Sequence, residues 1–300
     1  MKMEGVQKKN GPQAFERLKR QEEQGISGER ERLFEAVEAE CCRFPGKVSC
    51  LFRDYEDQGL FFDRCAQDRT VSASVIKVPY AIAFLRELEE KGLTLEGRMT
   101  IPKDMILDDS EVFEYGETTV SFRELIYWML ANSDNTASNA IVSFLGFEKI
   151  NASFEALGLQ DTLSERLMLD FDAVREGRNN YTSLRDIEKC MEALLFGSIL
   201  TERHRTFLLE TLSRNRDHLM LERYLYEDVR VMHKSGELDD VRHDGGLFFY
   251  GKRRWFLGVF CSAFSPEDGP EAERLTGRIS RKVLDYYEVC NRKAEEGLSL

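Results

Sequence analysis

Residues 229–264 read VRVMHKSGELDDVRHDGGLFFYGKRRWFLGVFCSAF, and this stretch decides the fold class. Val229 to His233 is a short apolar run rich in β-branched and large side chains, the composition of a strand. Leu247–Tyr250 and Trp255–Phe264 are two more such runs. Gly251-Lys252-Arg253 lies between them, which is the pattern of a hairpin. Near the other end of the chain, Val48–Phe52 and Leu60–Phe62 flank the polar Asp54–Gly59 and make a second hairpin. Strands supplied only by the two ends need each other, and residues 46–65 and 229–265 are expected to form one antiparallel sheet.

Between these ends the apolar residues recur at helical spacing. Ile76–Glu90, Ser121–Ala131, Asn135–Leu145, Leu184–Phe196 and Glu202–Leu212 are expected as helices. Ser121-x-x-Glu124 is a capping-box pattern, and Gly146 and Gly197 stand where two of the helices should stop. A helix from Glu29 to Cys42 precedes the Phe44-Pro45-Gly46 breaker, and one from Pro270 to about Cys290 closes the chain. The expected fold is α/β in the α+β sense: an antiparallel sheet flanked by terminal helices, plus an all-helical lobe. The boundaries that follow are a charged leader over 1–27, weakly ordered or helical, one domain over 28–290, and a tail over 291–300. Within the domain the sheet lobe takes 28–69 and 216–290, and the helical lobe 70–215.

Composition narrows the function. The 300 residues are 42% hydrophobic and 32% charged, ordinary for a chain with a substantial core. The formal net charge of −12 argues against a broad nucleic-acid surface. No apolar run is long enough to span a bilayer. The polar start, MKMEGVQKKN, lacks the apolar core of a secretory signal, so the expected location is the cytoplasm unless an export segment lies outside this sequence. Seven cysteines, an odd number without CxxC spacing, read as reduced thiols packed like small hydrophobes.

Three short motifs carry chemistry. Ser74-Val75-Ile76-Lys77 places a hydroxyl and an amine three residues apart, on one face of a helix. A serine hydroxyl needs a base, and a lysine can serve once burial or a nearby cation lowers its pKa. Ser133-Asp134-Asn135 lies between two expected helices, and Lys234-Ser235-Gly236 follows the strand Val229–Met232. Taken singly, these are a helix cap, a turn and a strand end. Their order, with spacings of about 60 and about 100 residues, is hard to obtain by chance.

Together they resemble the signature of class A β-lactamases and penicillin-binding proteins. LIYWMLANSDNTASNAIV (125–142), NNYTS (179–183) and HKSGELDDVRHDGGLFF (233–249) extend the similarity, which covers roughly residues 28–290. Ser235 stands where threonine is commoner. The resemblance implies that Ser74 is acylated, that Lys77 helps deprotonate it, and that Ser133 passes a proton to the leaving nitrogen. It implies further that Asn135 holds the substrate amide and that Lys234 and Ser235, beside Gly236, receive a carboxylate. Arg242 would be an additional carboxylate anchor. The N–H groups of Ser74 and Glu237 would form the oxyanion hole. No step calls for a metal or another cofactor, and His233 and His243 are read as structural.

One departure matters. In LSERLMLDFDAVREGRNNYTS (163–183), aligning Arg166 with the family's arginine puts Met168 where class A enzymes carry the glutamate that activates the deacylating water. Glu165 and Asp170 are the nearby carboxylates that could substitute. Three functions follow as expectations: a β-lactamase-like hydrolase of a β-lactam or related amide; a penicillin-binding, peptidase- or esterase-like acyl-enzyme with slow deacylation; or a non-catalytic binding or sensory protein on the same fold. The partner is in each case a small molecule.

Overall fold

The computed structural model describes residues 12–57, 60–226 and 228–297. The order begins with α1 (Pro12–Arg43), β1 (Lys47–Asp54), β2 (Phe61–Arg64) and β3 (Thr70–Val71). A 3-10 turn, Ala73–Ile76, leads directly into α2 (Lys77–Glu90). Then come β4 (Arg98–Ile101), β5 (Thr118–Ser121), α3 (Phe122–Ala131), α4 (Asn135–Leu145), α5 (Phe147–Ala156) and α6 (Phe171–Arg175). The chain continues with β6 (Tyr181–Thr182), α7 (Leu184–Phe196), α8 (Glu202–Leu212), β7 (Arg230–Leu238), β8 (Val241–Tyr250), β9 (Arg253–Ser262) and α9 (Gly269–Gly297).

The sheet runs β2-β1-β9-β8-β7, and every neighbouring pair is antiparallel. Its early and late strands meet at β1 and β9, with Val48 opposite Cys261 and Phe52 opposite Leu257. Both faces are covered, so side chains alternate between two cores rather than between core and water. Val48, Cys50 and Phe52 join Trp255, Leu257, Val259 and the α1 and α9 residues Leu33, Val37, Leu275, Ile279 and Val283. Leu51, Met232, Leu247, Phe256 and Phe260 face the other way, into the core of α2, α3, α4 and α7. The Tyr287 hydroxyl of α9 donates to Asp54 Oδ2 at 2.6 Å and fixes that helix against the end of β1.

Several expectations shift. Helix α1 starts at Pro12, well before Glu29; residues 12–27 have no apolar stripe, but Glu, Arg, Gln, Lys and Ala are good helix formers. The leader's residues 1–11 lie outside the described residues. Helix α9 runs through Asn291–Gly297, into the expected tail, because no breaker stands before Gly297. Strand β7 does not stop at His233. It continues to Leu238, paired with a β8 that begins at Val241, six residues before Leu247. The ladder, not the hydrophobic pattern, extends these strands. The ribbons β3–β6 and β4–β5 were not anticipated; two to four residues each is too short for a period to register. The Ser121 capping box is present in both directions, and Gly146 caps α4 at φ +77.

Candidate active site

The cleft is assembled where β7, the last strand of the sheet, lies against the turn Ala73–Ile76. Gly236 makes that approach possible. A Cβ at this position would stand 2.7 Å from the Ser74 nitrogen and 3.0 Å from the Val75 nitrogen, so only glycine fits. Ala73, just before Ser74, holds φ +44, a costly conformation for a residue with a side chain. In the 3-10 geometry residues i and i+3 eclipse, which puts the Ser74 and Lys77 side chains on one face.

Lys77 is fully buried at the start of α2. Its Nζ donates to the Ser133 carbonyl at 2.6 Å and to Asn135 Oδ1 at 2.7 Å, and lies 3.2 Å from Ser133 Oγ. Ser133 can present both its oxygens to one amine because its backbone is left-handed, at φ +56. Beneath it Asp134 caps α4 through the Ala137 N–H at 2.7 Å and accepts from the Ser110 hydroxyl at 2.6 Å. Burial drives the Lys77 pKa well below its usual value, and the Lys234 charge adds to this; Asp134 and Asp109 oppose it without winning. A lysine held in this way gives up its proton more readily than one in water.

Lys234 is also fully buried; its Nζ donates to the Ser235 carbonyl at 2.7 Å. Burial brings its pKa down to about 8, against the pull of Asp244 and Asp217. Ser235 is buried and pairs with Asp244 across the ladder. Glu237 is paired with Arg242, and its side chain is 63% exposed. The Arg242 guanidinium is already occupied: Nε is 3.3 Å from Glu273 Oε1 on α9 and 3.7 Å from Glu237, and Nη1 donates to the carbonyls of Leu238 and Val241. The structure thus joins Lys77, Ser133 and Asn135 by hydrogen bonds, sets Gly236 against the Ser74 backbone, brings Lys234 near enough for its charge to act on Lys77, and holds Arg242 against the terminal helix.

The loop after α5 forms a separate layer. Its neck is pinned by two backbone bonds between Leu163 and Tyr181 and by the Thr162–Thr182 hydroxyl pair at 2.9 Å. Inside, Asn180 accepts from the N–H groups of Glu165 and Arg166 and donates to the Arg166 carbonyl, while Arg166 Nε donates to Asn179. Met168 is buried at 8% exposure and bound on both sides of its peptide by Asn139, at 2.7 and 3.2 Å. Asn139 is one helical turn beyond Asn135 on α4, so Met168 is anchored about 5–6 Å along from the residue that grips Lys77. Glu165 accepts from the Asn179 N–H at 3.5 Å, and Asp170 caps α6 through the Ala173 N–H at 2.9 Å. Both carboxylates are engaged with loop backbone.

Asn139, Asn179 and Asp109 escaped the sequence reading. Asn139 had a signal, since it repeats Asn135 at i+4; the other two have none that is local. His233 is bound to Asp244 at 2.8 Å, and His243 Nε2 donates to the Val71 carbonyl, 3.2 Å away, and the ring stacks on Phe260. Burial would lower the His233 pKa, but the Asp244 charge outweighs it and raises it; burial takes His243 down to about 4. Among the described residues no cluster of His, Cys, Asp or Glu could hold a metal ion.

The pattern describing the β-lactamase enzyme family matches residues 32–287. The chain belongs to that family. Among solved structures, PBP-A is 25% identical, with a TM-score of 0.77 over 86% of this chain and 96% of that one. The acyl-enzyme complex of a PBP-A mutant with penicillin G is 26% identical, with a TM-score of 0.77 over 86% and 97%. A β-lactamase from Sphaerobacter thermophilus shares the fold at 23% identity and a TM-score of 0.75, over 87% and 98%. A comparison with curated protein sequences gives no significant match. The penicillin-recognising β-lactamase fold is therefore the frame in which the motifs stand. Among the described residues no helix of this family member is long and apolar enough to cross a membrane.

Proposed function

We propose that this protein is a serine acyl-transfer enzyme that is acylated at Ser74 by a β-lactam or a related small amide and deacylates slowly. Residues 28–290 act in this reading as one catalytic domain with its cleft between sheet and helices. The observation that carries it is the buried Lys77 amine, held by Ser133 and Asn135 with its pKa pushed down. Lys77 takes the Ser74 proton as Oγ attacks the carbonyl carbon. The N–H groups of Ser74 and Glu237, on elements that touch at Gly236, stabilise the tetrahedral oxyanion. The proton returns through Ser133 to the leaving nitrogen, and the C–N bond breaks. Lys234 and Ser235 receive the substrate carboxylate. Arg242, already balanced by Glu237 and Glu273, is left a minor part in this.

Slow deacylation is supported by the loop. Met168 cannot accept a proton, and Glu165 and Asp170 are committed to loop N–H groups. Without a general base the acyl-enzyme loses a factor of about 10²–10⁴ in hydrolysis. Time-resolved intact-mass measurement with a chromogenic cephalosporin tests both halves. The expected result is a one-to-one adduct that builds up and decays slowly, and none on Ser74→Ala. Brisk turnover without an adduct would remove the slow-deacylation half, and no adduct with no turnover would remove the whole reading.

A further inference from the structure

The Asn135 side-chain amide is bound on both sides. Its oxygen accepts from Lys77, and Nδ2 donates to Asp109 Oδ2 at 2.6 Å. An amide nitrogen has two hydrogens, so one is left for a ligand carbonyl. That carbonyl would then sit next to the Asp109 carboxylate. Asp109 is exposed, and among the described residues no Lys, Arg or His stands within ion-pair distance of it. The segment from Asp104 to Glu117 carries six acids and no base, and the Lys77 amine that feels the Asp109 charge is buried on the other side of the Asn135 amide. Across the cleft, by contrast, Glu237 is paired with Arg242.

A ligand carbonyl seated on Asn135 brings its acyl-side substituent over Asp109. A neutral or anionic substituent there strips water from an ionised carboxylate and offers nothing in return, which is unfavourable. A cationic substituent replaces that water with an ion pair and a charge-assisted hydrogen bond. Discrimination arises from both the attraction and the penalty.

Resting on the acyl-enzyme reading above, we propose that Asp109 is a specificity-determining residue that selects amide substrates carrying a protonated amine or guanidinium on the acyl side, close to the scissile carbonyl. The carboxylate is built into the cleft by its bond to Asn135, so its position follows the residue that grips the substrate.

Acylation efficiency with benzylpenicillin and with its α-amino analogue, ampicillin, tests this by intact mass in the wild-type protein and in Asp109→Asn. Asparagine keeps the shape and an oxygen for Asn135 and removes the charge. The ampicillin-to-benzylpenicillin ratio should exceed one in the wild type and fall about two- to five-fold in the variant, the worth of an exposed ion pair. The wild-type preference should also shrink as ionic strength rises. Asp109→Lys should favour a penicillin with an acyl-side carboxylate over benzylpenicillin. A ratio unchanged by Asp109→Asn, or unmoved by charge reversal, overturns this inference and leaves the acyl-enzyme reading standing. Failure of both penicillins to label the wild-type protein removes the acyl-enzyme reading and this inference with it.

Discussion

The two layers of the cleft are built on different principles. Around Ser74, polar side chains face one another across elements: the buried Lys77 meets the half-buried Ser133 and Asn135, and the buried Lys234 acts on Lys77 through its charge. In the loop 163–181 the polar side chains of Glu165, Arg166, Asp170, Asn179 and Asn180 are spent on the loop itself, and the inward residue, Met168, is apolar. One layer pairs its polar groups across elements around a buried amine, and the other spends them on its own shape. Under the proposed reading, such a site serves the first half of a two-step acyl transfer and not the second.

The comparison breaks most sharply at Lys77. Lys77→Met should slow acylation about 10²–10⁴-fold while the protein stays folded by circular dichroism. Near-normal acylation would place the base elsewhere. In the wild type, acylation efficiency should rise with pH as Lys77 loses its proton, with that limb well below the ordinary lysine value. It should fall again as Lys234 deprotonates near pH 8, because a neutral amine no longer attracts the substrate carboxylate. A rate that is flat from pH 6 to 9 would contradict both assignments.

Gly236→Ala tests the seam between sheet and nucleophile. The added Cβ must push β7 away from the Ser74 nitrogen, and the two oxyanion donors separate. A loss of about 10²-fold in acylation is expected, similar to the removal of one such donor. A loss below a few-fold would mean that the donors are set elsewhere.

Met168→Glu sharpens the contrast by giving the second layer what it lacks. The adduct lifetime should shorten, by up to about 10²-fold, since Asn139 already fixes the backbone at this position. An unchanged lifetime in a folded variant would show that position 168 does not reach the ester. The smallest effects belong to Glu165→Gln and Asp170→Asn. Turnover should stay as in the wild type, and an asparagine at 170 can still cap α6. If either change converts turnover into a stable adduct, that carboxylate is the base and the loop has been misjudged.

The motifs were legible because each lies on an element with a strong local signal. Ser133-Asp134-Asn135 sits between two amphipathic helices, and Lys234-Ser235-Gly236 follows an apolar run. Asn135–Leu145, Leu184–Phe196 and Glu202–Leu212 were found to the residue, since caps and period agree there. The ends of β7 and β8 were not, because Lys234–Leu238 and Val241–Gly246 are strand only by virtue of pairing with each other. The two short ribbons were missed for the same reason.

The sequence by itself determined which residue types were present: a hydroxyl and an amine at the spacing of one turn, two further hydroxyl-bearing motifs, and a methionine that the resemblance sets where class A enzymes carry a glutamate. These are matters of residue type and local period, and both are written along the chain. Tertiary structure alone decided what state that chemistry is in. The Lys77 pKa depends on how deeply α2 is buried and on the charge that β7 brings near it. The engagement of Glu165 by Asn179, the occupation of Arg242 by Glu237 and Glu273, and the seat of Asp109 on Asn135 depend on partners between 5 and 31 residues away. Desolvation and hydrogen bonding act through space, so no local pattern encodes them.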